Sequence, residues 1–126
     1  MGLQLLSPDD FSRQVPTASE YEKAFRAIEP EMARNAVSML RAHHNAPSHT
    51  VTASELAAAV NYANYVSANL QYGRLGALLG SALDLRLRYR VNVLCRFVSA
   101  GTEGNGHLLW VMWPQVAEAL CALGWV

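Results

Sequence analysis

Tyr21, Ala24, Phe25 and Ile28 recur three and four residues apart, the spacing of one buried helix face. Thr17 stands just before them with Glu20 three residues on, a capping box that starts a helix there. Pro30 ends this helix or opens the next, because its missing N–H is tolerated only in a first turn. From Pro30 onward, Ala33, Ala36, Val37 and Leu40 form a second apolar stripe, ended by "HHNAPSH" at about residue 43. Residues 1–16, closing in "QVP", read as a lead-in, and 17–126 read as one domain.

Val51 between two threonines allows a very short strand or an extended link. Thr52 and Glu55 repeat the capping box and predict a short Ala/Leu helix over 53–60. Asn61 can stop that helix in a left-handed conformation, and Asn64 can cap a long helix running to about Leu83. Two helices joined by so short a turn form the helix-turn-helix pattern.

After "DLRLR" the period changes to two. Tyr89, Val91, Val93, Cys95 and Phe97 alternate with Arg88, Arg90, Asn92, Leu94 and Arg96, predicting a strand with one buried and one largely basic face. A Gly-rich connector and "LLWVMW" complete a two-stranded hairpin. Pro114 opens a closing helix with Val116, Ala119, Leu120 and Leu123 inward, and Gly124 ends it. The expected class is α+β, mostly helical and winged helix-turn-helix-like, with a two-stranded hairpin and a C-terminal helix.

The length of 126 residues suits one domain with its own core. Charged residues are only 16%, which leaves room for a partner surface, including a homodimer contact. Ten basic groups balance ten acidic ones, so a polybasic binder and an acidic DNA mimic are both disfavoured. The distribution is uneven: Arg74, Arg86, Arg88, Arg90 and Arg96 meet only Asp84 between residues 74 and 96. Lys23 is the sole lysine, and arginine is the residue suited to bidentate contacts with phosphate, bases or carboxylates. Cys95 and Cys121 sit in apolar runs and read as buried thiols in a reducing compartment. Neither a signal peptide nor a membrane-crossing apolar span is apparent, so the expectation is cytoplasmic, with no membrane contact.

Taken as a recognition element, the long helix and its preceding turn offer Asn61, Asn64, Ser67, Asn69 and Gln71 to base edges of double-stranded DNA, with Arg74 reaching phosphate. Tyr65, Ala68 and Tyr72 extend the buried leucine stripe, so at least one of these tyrosines belongs to the core. Gly76 and Gly80 leave a smooth strip for close packing of a neighbouring helix. The hairpin becomes a wing whose Arg88, Arg90 and Arg96 fix position on the backbone, with Asn105 and His107 at its tip as weaker candidates. Trp110 and Met112 share one strand face, Val111 and Trp113 the other. Both are apolar, which calls for a helix, a dimer partner or a bound protein over the second face.

Catalysis finds little support. His43, His44 and His49 read as one structural loop without converging carboxylates or a cysteine pair, so neither a metal site nor a catalytic residue is assigned. No phosphate loop and no cofactor motif occurs.

The words "ASELAAAVNYANY", "NLQYGRLG" and "NGHLLWVM" resemble a small bacterial winged-helix-like domain sometimes associated with HNH-type restriction endonucleases, over roughly residues 20–126. The resemblance implies an accessory or targeting module of nucleic-acid enzymes. It does not imply cleavage, since the histidines of an HNH core have no counterpart. Two functions follow: a DNA-binding or targeting module without catalysis, or a protein-interaction module such as an inhibitor or adaptor of a nucleic-acid enzyme, of anti-defence type. Tryptophan and arginine as interface anchors support the second, while the arginines beside the long helix put the first ahead of it.

Overall fold

The computed structural model describes residues 5–99 and 108–126. Local capping places most helices. Pro8–Ser12 (α1) starts on Ser7, whose hydroxyl accepts from the Asp10 amide at 3.1 Å. Ala18–Ile28 (α2) starts on the Thr17–Glu20 capping box, with both reciprocal bonds formed at 3.0 and 3.2 Å. Tyr21, Ala24, Phe25 and Ile28 are its buried residues, as the spacing predicts. Pro30 sits in a separate 3-10 turn, Glu29–Glu31, and Met32 is extended. The next helix therefore begins later than the stripe suggests, at Ala36–Asn45 (α3).

Thr50–Val51 is a strand (β1). The Thr52–Glu55 capping box, at 2.8 and 3.1 Å, starts Ala53–Ala59 (α4). Asn61 takes the left-handed conformation with φ 61°, and Asn64 caps Tyr65–Ala82 (α5) by accepting from the Val66 amide at 3.0 Å. Cys95–Ser99 (β2) and Leu108–Met112 (β3) follow, then Pro114–Leu123 (α6), which ends on Gly124 at φ 73°.

The fold is α+β, with three short antiparallel strands in the order β1–β3–β2. β1 adds to the expected hairpin through Thr50 opposite Val111 and Val51 opposite Trp110. The hairpin register runs from Cys95 opposite Met112 to Ser99 opposite Leu108. α2 packs on α6 and on α5, and α4 packs on α5, enclosing Tyr21, Phe25, Leu40, Leu56, Tyr72, Leu79 and Leu120.

The strand expected over residues 88–97 is only half present. Arg90–Val93 forms a 3-10 turn, and Val93, Leu94 and Cys95 are buried in succession rather than alternately. Side chains close this turn in preference to sheet pairing. Asn92 donates to the Cys95 carbonyl at 3.0 Å, the Trp113 indole donates to the Asn92 carbonyl at 2.7 Å, and Tyr21 donates to the Val93 carbonyl at 2.7 Å. Arg88 and Arg90 thus do not lie on the hairpin's outer face; only Arg96 does.

The lead-in also packs. Phe11 is fully buried with its ring edge-on to Trp113 at 5.8 Å, and Leu6 bridges to Leu87. Trp113 follows β3 and is covered by Phe11 of the chain's own α1, while Val111, expected on the same face, is half-buried. No helix among the described residues is long and apolar enough to cross a membrane.

Candidate nucleic-acid interface

α5 presents three rows of residues. Ala68, Tyr72, Leu75 and Leu79 turn into the core. Asn69, Gly73, Gly76 and Gly80 recur at helical spacing along a second row, against which the chain returns after α5. A Cβ on Gly76 would collide with the carbonyl of Arg90 and lie 2.8 Å from its carbon, so only glycine fits there. The glycine strip does admit a close backbone, but that backbone is the 3-10 turn after α5. Ser67, Gln71, Arg74 and Leu78 form the third row at the same spacing.

The nine sequence-chosen residues consequently divide. Asn61 and Asn64 are exposed in the turn before α5, but both have structural work there as helix stop and cap. Asn69 is exposed on the glycine row, while Ser67 and Gln71 are half-buried on the opposite flank. Gln71, Arg74 and Arg90 come together around a cavity of about 490 Å³ between α3 and α5. Arg88 and Arg90 meet Arg86 around a second cavity of about 420 Å³, on the other side of Ala77 and Ser81. Arg96 stands apart on β2. Asn105 and His107 lie outside the described residues.

Arg74, Arg86, Arg88, Arg90 and Arg96 are all exposed. Among the described residues the one ion pair is Arg26–Glu22 at 3.1 Å, so no described carboxylate pairs with any of these five guanidinium groups. Four of the five flank the C-terminal half of α5, while the amides sit at its N-terminal end. Periodicity missed Arg86, Tyr62 and Glu31 as cavity-lining residues, since none lies on an α5 row. The signal available for Arg86 was the arginine excess itself.

The tyrosines also separate. Tyr72 is fully buried, Tyr62 is partly buried, and Tyr65 is 48% exposed. Val66 and Leu70 join Tyr65 in putting exposed apolar surface on the first turns of α5.

The histidines do not form one loop. His43 is fully buried on α3, whereas His44 and His49 are partly exposed with rings 4.7 Å apart. The two thiols differ as well. Cys95 is buried, which pushes its thiol upward, but Cys121 is exposed beside His44, with 3.6 Å between Sγ and Nε2. Among the described residues no group of three or more His, Cys, Asp or Glu side chains is placed to hold a metal ion.

Comparison with protein-family models, with curated proteins and with solved structures finds no match.

Proposed function

We propose that this chain is a winged-helix-like DNA-binding module that acts without catalysis. The observation that carries the reading is the element order β1–α4–α5–β2–β3, with β1 paired to β3 in a β1–β3–β2 sheet. In this reading α4 and α5 serve as the helix-turn-helix and β2–β3 serves as the wing. The five arginines support the reading, since exposed guanidinium groups release counterions from a phosphate backbone. In this scheme Asn61, Asn64, Ser67, Asn69 and Gln71 address base edges or sugar–phosphate, and Arg74, Arg88, Arg90 and Arg96 hold the backbone. The accessory role beside a nucleic-acid enzyme belongs to the same proposal.

The test is the salt dependence of binding to a random duplex. Replacing Arg74 and Arg90 together by alanine should weaken binding across all sequences and lower the salt slope by about 2, one for each phosphate contact. An unchanged slope sinks the assignment of these arginines.

One observation favours a second reading, a protein-interaction module. Val66 and Leu70, 56% and 51% exposed, occupy the outward side of the helix that would enter the groove. Apolar side chains there suit a protein surface better than base edges. If this reading holds, L70E abolishes docking on a protein partner while duplex affinity is negligible from the start.

A further inference from the structure

We infer that the cavity of about 490 Å³ between α3 and α5 binds a small organic monoanion, an apolar body carrying one carboxylate. Its volume lies within the ~300–1,000 Å³ range of small-molecule sites. Met39, Leu75 and Leu78 supply apolar wall, and Arg74 and Arg90 stand at its edge with no described carboxylate paired to them. A guanidinium pair of this kind matches a planar carboxylate through paired N–H donors.

The remaining polar groups narrow the ligand class. Glu31 also lines the cavity, so two positive charges face one negative, a balance that accepts one anionic charge and repels a second. This disfavours phosphate monoesters relative to carboxylates. Tyr62 accepts from the Asn35 amide at 3.3 Å, which leaves its own hydroxyl proton free to donate inward.

A consequence rests on the DNA-binding reading. Gln71, Arg74 and Arg90 belong both to the cavity and to the proposed DNA surface, so a bound carboxylate and a duplex compete. The ligand site itself does not depend on that reading.

The experiment titrates 2-naphthoate and octanoate, each beside its neutral primary amide, into the full chain by calorimetry without DNA. At least one carboxylate should bind in the submillimolar range and about tenfold more tightly than its amide. The R74Q/R90Q double variant should reduce the carboxylate to the affinity of the amide. A33W, at an exposed position on the cavity wall, should block both. Circular dichroism establishes that each variant is folded; all three positions are exposed. The site is overturned if neither carboxylate binds at low-millimolar concentration, if acid and amide bind equally, or if R74Q/R90Q binds like the parent. A separate arm adds 2-naphthoate to a labelled duplex complex and should release the duplex. Carboxylate binding without duplex binding defeats only the DNA reading. Duplex binding without carboxylate binding defeats only the site.

Discussion

The hydroxyl of Tyr72 donates to Nδ1 of His43 across 2.7 Å, with both side chains fully buried. The other ring nitrogen settles the direction. Nε2 lies 2.9 Å from the Trp110 carbonyl, which can only accept, so Nε2 carries the proton and Nδ1 is the acceptor. The Tyr72 ring in turn stacks on Trp110 at 5.5 Å. One neutral imidazole thereby joins α3, α5 and β3, and holds the proposed recognition helix against the sheet.

This imidazole makes stability fall in acid. Burial pushes His43 down to about 4 from an ordinary 6.5, against the opposing hydrogen bond to Trp110. Above pH 6.5 the ring is neutral in both states and contributes no pH dependence. Between 6.5 and 4 the unfolded chain binds a proton that the folded chain does not, so stability drops as pH falls through that window. The loss is about 1 kcal/mol by pH 5.5, and roughly 3 kcal/mol when the window has been crossed. Urea midpoints of the parent and of H43Q between pH 7.5 and 4 should diverge in slope, the parent being steeper. Parallel pH profiles contradict the neutral, buried assignment.

Gly73 and Gly76, about 4.5 Å apart along one helix row at about 1.5 Å of rise per residue, should respond oppositely to alanine. A Cβ at Gly73 meets nothing within 4 Å, so G73A should stabilise by about 1 kcal/mol through helix propensity. At Gly76 the same Cβ strikes the Arg90 carbonyl, so G76A should cost about 1–3 kcal/mol by displacing the turn at Arg90–Val93. Chemical denaturation of both variants checks this. A stabilised G76A shows that the chain after α5 does not lie where the fold puts it.

Much of the fold is legible where a local rule acts alone. Thr17 and Thr52 announce helix starts through Glu20 and Glu55, and Asn61 and Asn64 punctuate the turn, because caps are set within a few residues. Residues 88–94 mislead because their alternation is real but long-range bonds decide the backbone. Tyr21 and Trp113, distant in sequence, bind the Val93 and Asn92 carbonyls and draw the chain into a turn. His43 misleads for the same reason, since its partners Tyr72 and Trp110 lie 29 and 67 residues away. Phe11 gives no periodic signal within a helix of five residues, yet it is fully buried. Of the candidate site, residue types were legible but their grouping was not. Arg90 reaches the Arg74 cavity only because the chain crosses Gly76.

In the proposed reading, α5 and Arg96 of the β2–β3 hairpin contact the same duplex. The most direct measurement is the backbone-amide chemical-shift footprint of the isotopically labelled chain titrated with a short random duplex. The account predicts that shifts concentrate on Asn61, Asn64, Asn69, Arg74 and Arg96 and fade as salt rises. No shift at low salt, or shifts confined to α6 and α2, contradicts it.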